Sequence, residues 1–192
     1  MNAGAWYLRA LRADERVDDR PALLALAADP ATGLARRGVV DLESAGQRVA
    51  ASHRGWAEDT RYGWAVCEPS TGEMLGEVVL FELHDRRSEI GAWLLSHHRG
   101  RGIMTTAVGA VLRLAFASPD LGGLGMHRVE WRHGAENTAS AALAARCGFT
   151  REGVARGAGH ARADLVILAR LATDWPPPRR HERAPGCHPG VR

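Results

Sequence analysis

Gly100 and Gly102, interleaved with Arg99 and Arg101, form a turn that opens directly onto a helix-compatible apolar run. A glycine turn at a helix start leaves several backbone N–H groups unpaired and aimed one way. Glycine lets that backbone lie close to a ligand, and the helix dipole favours negative charge there. The chemistry on offer is therefore a phosphate-binding cradle. Two standard phosphate motifs are excluded. A dinucleotide fingerprint needs a glycine at position 105, which is Thr105, and a nucleotide P-loop needs a Lys, of which the chain has none. A second group, Asn137-Thr-Ala-Ser140, can start a short helix, with Asn137 as its cap and Ser140 in its first turn. No HExxH and no Gly-x-Ser-x-Gly occurs, so neither a zinc-protease helix nor a hydrolase elbow has support. His97 and His98 are adjacent, so on an extended chain they diverge, and no metal is expected.

The elements that must position these residues can be read from periodicity and punctuation. Trp6 to Leu11 predicts a first strand, and a helix follows from about Asp18, with Pro21 near its first turn, until Asp29-Pro30. Asp41 is the expected cap of a second helix to about Glu58, with Leu42, Ala45, Val49 and Trp56 on one side. Strands are expected over Tyr62–Glu68, Met74–His84 and Glu89–Leu95, separated by turns at Glu68–Gly72 and Asp85–Ser88. After the glycine turn comes a helix to about Ser118, with Ile103, Ala107, Val111 and Leu114 inward. A strand at His127–Arg132 and a helix at Thr138–Cys147 follow, the helix stopped by Gly148. Thr150–Ala158 and Asp164–Leu171 complete the set as strands. Hairpin-grouped strands with helices between them indicate a mixed α+β sheet rather than a doubly wound one. Trp64, Trp93 and Trp131 are expected in the core or along a cleft.

The 192 residues suit one domain, residues 1–174, and a Pro- and Arg-rich tail, residues 175–192, that is expected to be disordered. The longest apolar run is too short to span a bilayer, so no membrane role is expected. Three scattered cysteines, Cys67, Cys147 and Cys187, argue against a disulfide framework and for a reducing, cytoplasmic setting. A net charge of +3, carried by Arg, favours anionic ligands weakly and does not call for nucleic acid.

The two motifs together carry a family likeness. Glu89-Ile-Gly-Ala-Trp-Leu, His98-Arg-Gly-Arg-Gly-Ile-Met-Thr, Glu136-Asn-Thr-Ala-Ser and Cys147-Gly-Phe-Thr-Arg-Glu-Gly resemble, in order and spacing, the GNAT superfamily of N-acetyltransferases, more narrowly its RimJ/RimL-like branch. The resemblance covers about residues 5 to 174. It implies a three-layer α/β/α fold of the α+β class, around a mixed, mostly antiparallel sheet of about seven strands whose fourth and fifth strands splay apart. Acetyl-CoA would be the co-substrate, lying in that gap. Backbone groups of Trp93, Leu94 and Leu95 would pair with its pantetheine arm. The turn from Arg99 through Gly100, Arg101, Gly102, Ile103 and Met104 to Thr105 would hold its pyrophosphate. Asn137 would contact it directly or through water, and Ser140 would protonate the departing thiolate. His97 stands where the family prefers Arg or Gln. No carboxylate occurs in Arg156–His160, where RimL-like enzymes can place one, so the base must be sought elsewhere.

The acceptor implied is a primary amine, either a protein N-terminus or a small molecule. An α-amine, with pKa about 8, is already about one tenth neutral at pH 7, whereas a lysine needs far more help. Glu89, which starts the splayed strand, is the first candidate base, Glu82 the second, and water a third. The amine would attack the thioester directly, with a backbone N–H near Leu94 stabilising the oxyanion and no covalent acyl-enzyme. The alternative is a module that binds acyl-CoA without turnover. A homodimer is allowed but not specified by the sequence.

Overall fold

The computed structural model describes residues 1–29, 32 and 35–174. Gly4, at φ +65°, folds Asn2–Ala3 (β1) back onto Trp6–Arg9 (β2). The first helix, Arg20–Ala28 (α1), carries Pro21 in its first turn and ends at Asp29, as the punctuation requires. The second, Leu42–Ala57 (α2), is closed at its start by a reciprocal pair. The Ser44 N–H donates to the Asp41 carboxylate at 2.8 Å, and the Asp41 N–H donates to Ser44 Oγ at 3.0 Å. Asp41→Ala is expected to cost about 1 kcal/mol, read as a lower denaturant midpoint with an unchanged slope.

The strands Tyr62–Cys67 (β3), Met74–His84 (β4) and Arg87–Leu94 (β5) form an antiparallel meander. The helix Ile103–Phe116 (α3) leads to Arg128–Gly134 (β6), and Thr138–Arg146 (α4) to Thr150–Ala155 (β7) and Leu165–Leu171 (β8). The eight strands lie in the order β1-β2-β3-β4-β5-β6-β8-β7, and only β5 and β6 run parallel. Alternate residues of the central strands serve two cores. Val78, Leu80 and Ile90 join Val108, Val111 and Leu112 of α3, while Val79 and Trp93 join Leu23 and Leu26 of α1 and Ala45 and Val49 of α2. The result is a helix–sheet–helix sandwich of the α+β class.

The β5–β6 seam positions the site. Its parallel pairing covers only Arg87–Glu89 against Arg128–Glu130. Beyond that point β6 stays paired with β8 through Gly134, and β5 stays paired with β4 through Leu94. The two strands therefore part after Glu89 and Glu130, leaving a wedge in the middle of the sheet.

Several details differ from the sequence expectation, among them β7, which stops at Ala155 rather than Ala158, and β6, which runs on to Gly134 rather than Arg132. The sheet has eight strands rather than about seven, because the Gly4 turn adds β1; the parting strands are thus the fifth and sixth in chain order. β2 stops at Arg9 rather than Leu11. Leu42 is 49% exposed, because the first residue of α2 points outward while Ala45, Val49 and Ser52 face inward. The turn expected over Asp85–Ser88 needs only Asp85 and Arg86, both left-handed at φ +46° and +57°, so β5 starts two residues before Glu89. The expected disordered tail, 175–192, lies outside the described residues.

Candidate active site

The glycine turn has the conformation that its residue types dictate. Gly100 and Gly102 sit at φ +80° and +73°, a region costly for any side chain, and Gly102 is the N-cap of α3. A Cβ at either would meet nothing within 4 Å, so backbone angle rather than crowding calls for glycine here. The first bond of α3 runs from Thr106 N to Gly102 O at 3.1 Å. The Arg99 N–H is bonded to Ser96 O at 3.2 Å. Among the described residues, the amides from Gly100 through Thr105 have no acceptor in the protein. Six consecutive donors at a helix N-terminus suit an anion carrying several oxygens. The Ile103 and Met104 side chains are buried and anchor the helix start. The neighbouring arginines are not loose charges: Arg99 binds Asp29 at 2.5 Å, and Arg101 lies over the Trp6 ring at 5.2 Å.

The inner edge of β5 offers a second set of backbone groups. The Leu95 N–H donates to Leu75 O at 3.0 Å, across the ladder toward β4. Backbone direction alternates along a strand, so Trp93 shares that orientation and Leu94 faces the wedge. Among Trp93, Leu94 and Leu95, then, Leu94 is the residue whose N–H is available to a ligand in the gap; its carbonyl accepts from Arg99 Nη2 at 3.4 Å. Trp93 and Leu95 are engaged with β4 and bury their side chains in the α1–α2 core, where Trp93 Nε1 donates to Thr32 O at 2.7 Å.

Glu89 stands at the vertex of the wedge, the last residue of β5 paired on both sides. Its side chain is 15% exposed, and burial pushes its carboxyl up to about 7. Arg132 at 3.4 Å opposes that shift, while the charge of Glu82 reinforces it. A carboxylate poised near neutrality in a cleft is suited to exchanging a proton with a reacting amine. Glu82 is exposed, at φ +53°, in the irregularity that ends the β4–β5 ladder. Its charge is felt at Glu89.

On the opposite wall, Asn137 caps α4 by accepting from the Ser140 N–H at 3.0 Å. Ser140 Oγ in turn accepts a hydrogen bond from Trp131 Nε1 of β6 at 2.8 Å. An indole N–H only donates, so the Ser140 hydroxyl hydrogen is left to donate elsewhere, with no protein acceptor among the described residues. Phe149 holds the indole edge-on at 5.4 Å between ring centres. Sequence reasoning placed Trp131 only as core or cleft lining and missed this role, and it missed Arg132 beside Glu89. Neither contact has a local signature, since both depend on how α4 and β5 flank β6.

Cys67 and Cys147 are buried free thiols, both pushed up to about 11 chiefly by burial, so neither is primed as a nucleophile. Among the described residues no cluster of three or more His, Cys, Asp or Glu could hold a metal, and no helix is long and apolar enough to cross a membrane. A cavity of about 470 Å³ lies between Arg16–Ala25 and Thr71–Met74 and includes none of the cradle amides, Glu89 or Ser140. The candidate chemistry belongs to the open wedge instead.

Comparisons with known proteins identify the family. The family described as "Acetyltransferase (GNAT) domain" matches residues 7–150, well over half of the chain. Two proteins of Bacillus subtilis (strain 168) are similar in sequence. "Putative ribosomal N-acetyltransferase YdaF" is 31% identical over 109 residues, 54% of this chain and 57% of that protein. "Probable N-acetyltransferase YjcK" is 32% identical over 102 residues, 52% of this chain and 54% of that protein. The match thus spans little more than half the length of these relatives. In fold, a solved structure described as "Crystal structure of Probable acetyltransferase" is similar with a TM-score of 0.76 and 23% identity, covering 91% of this chain and 97% of that one. RimL, a ribosomal L7/L12 α-N-protein acetyltransferase solved with coenzyme A, is similar with a TM-score of 0.72 and 24% identity, covering 87% and 94%. With the strand order, the parted seam and the bare glycine-turn amides, the family match places this chain in the GNAT acetyltransferase family.

Proposed function

We propose that this chain transfers the acetyl group of acetyl-CoA to a primary amine by direct attack, without a covalent acyl-enzyme. The observation that carries the proposal is the wedge itself, with six unbonded amides at its rim and a near-neutral carboxyl at its vertex. The residues present fit the co-substrate. The amides of Gly100–Thr105 suit a diphosphate, and the Leu94 N–H, free toward the gap, suits the carbonyl oxygen of the thioester. Bound there, the thioester supplies an activated acyl group; the rest is work for this chain's side chains. Glu89 accepts the proton that the amine loses, directly or through water. The Leu94 amide donates to the carbonyl oxygen as negative charge builds on it. Ser140, accepting from the Trp131 indole, donates its hydroxyl proton to the leaving sulfur and is reprotonated through water, which takes up the proton that Glu89 removed from the amine. Asn137 holds the start of α4, and so Ser140, in place.

A protein α-amine is the favoured acceptor class. Its pKa of about 8 lies close to that of Glu89, so proton transfer between them is nearly balanced. The names of YdaF and RimL, which refer to ribosomal proteins, support the same class. The buried free thiols suit a reducing compartment such as the cytoplasm.

The test is release of free coenzyme A thiol across a panel of peptides and small amines. Ser140→Ala is expected to lower kcat about 10- to 100-fold while leaving the KM for acetyl-CoA within about twofold. Tight coenzyme A binding with no turnover on any amine would instead mark a non-catalytic acyl-CoA sensor.

A further inference from the structure

A cavity of about 360 Å³ lies between α2, the segment Arg37–Val39 and Glu77 of β4, and is lined by Arg37, Arg48, Ser52, Arg54, Arg61 and Glu77, among others. Glu77 is 1% exposed and is matched by Arg48 at 2.5 Å. The other three arginines have no carboxylate partner among the described residues. Three polar atoms buried there also lack hydrogen bonds: Arg48 Nε, Arg61 Nη2 and Ser52 Oγ, the last on a residue only 3% exposed. Burial, then the charge of Arg48, pushes the Arg61 guanidinium below its ordinary pKa. Buried cations and unsatisfied donors are unfavourable unless something answers them. Arg37 and Arg54 are exposed, so the buried demand is that of Arg61 Nη2, Arg48 Nε and Ser52 Oγ, which a carboxylate or a phosphate would answer, with Arg37 and Arg54 adding positive charge on the same lining.

This cavity lies on the face of the sheet that carries the Glu89 side chain. Arg37 and Arg48 lie over the Trp93 ring at 5.2 and 5.6 Å, and Arg61 lies over Phe81 at 5.8 Å. Phe81 is the ladder partner of Glu89, and Glu77 that of Trp93, so all four side chains stand on one face of the sheet. The charge of Arg37 is felt at Glu89. From Glu89 to Trp93 is four strand residues, about 13 Å, which three to four residues of extended peptide also span.

We propose that this cavity receives an acidic side chain of a peptide acceptor whose free α-amine lies at Glu89, the acid sitting at the third or fourth residue. The inference rests on the acetyl-transfer reading for the place of the amine, but the cavity is tested by binding alone. Two peptides with free α-amines, Ala-Ala-Glu-Glu-Ala-Tyr and Ala-Ala-Gln-Gln-Ala-Tyr, are titrated calorimetrically into the full chain with coenzyme A present. The acidic peptide is expected to bind at least tenfold more tightly. Arg61→Gln is expected to bring the ratio below threefold, with coenzyme A affinity on the same sample reporting an intact fold. Arg37→Gln, at an exposed position that tolerates change, is expected to narrow the ratio should Arg61→Gln not fold. Equal affinities in the parent chain overturn the proposal, as does competition by inorganic phosphate with no peptide preference. Acetyl transfer to both peptides is followed in parallel. Preference without turnover keeps the anion site and removes the transferase reading; turnover without preference does the reverse.

Discussion

Glu89→Gln is expected to lower kcat on an α-amine acceptor about 100-fold at pH 7, the lower end of what a positioned base contributes. Its KM for acetyl-CoA should stay within about twofold, because the cradle amides are elsewhere. The pH profile carries the sharper signature. In the parent chain, activity falls as pH drops through about 7, where Glu89 takes up its proton. In the variant that inflection disappears, leaving the titration of the amine itself near 8. Stability provides the control. The folded-state pKa of Glu89 is raised, so its stabilising protonation is fully present below the ordinary 4.5 and lost as pH rises through about 7. Above pH 7 the ionised, mostly buried carboxylate destabilises the fold by at most roughly 3 kcal/mol. Glu89→Gln should therefore melt no lower than the parent at pH 8. A lower melting temperature there, or an unchanged pH profile, would remove Glu89 from the role of base.

Replacing both Gly100 and Gly102 with Val is expected to weaken coenzyme A binding at least 100-fold, measured by calorimetry, while the circular dichroism spectrum and cooperative melt persist. Each Val at φ +80° or +73° costs about 1–2 kcal/mol or somewhat more, against a typical domain stability of 5–15 kcal/mol. Neither new Cβ meets protein within 4 Å, so strain falls on the turn and not on the core. The turn relieves that strain by changing its path, which disperses the amides from Gly100 to Thr105. Unchanged affinity would show that those amides do not hold the diphosphate.

The parts of the site that were legible in the sequence are those fixed by local backbone. Gly100, Gly102 and Gly148 announce left-handed angles, and the structure has all three there. Asp41 and Asn137 announce helix starts, and both cap with their side chains. What was not legible depends on parts of the chain far apart in sequence. Glu89 could be placed at the start of a strand, where it reads equally well as an exposed residue after a hairpin. Its enclosure comes from pairing with Phe81 on one side and Glu130, forty-one residues later, on the other. The Ser140–Trp131 bond likewise requires α4 to pack back over β6. Arg48 of α2 and Arg61, just before β3, meet Glu77 and Phe81 of β4 only through the packing of α2 on the sheet, which no local pattern announces.

An unpaired strand margin normally sits at the rim of a sheet, where it invites other polypeptides and the chain must guard against aggregation. Here the margin of β5 that begins at Ile90 is enclosed in the interior, with β6 across from it and three residue pairs closing one end. A foreign strand threading in would be stopped at Glu89 and could form only a few rungs. The seam thus discriminates by shape, excluding a continuous peptide ladder while admitting a slender partner with one or two amide groups of its own.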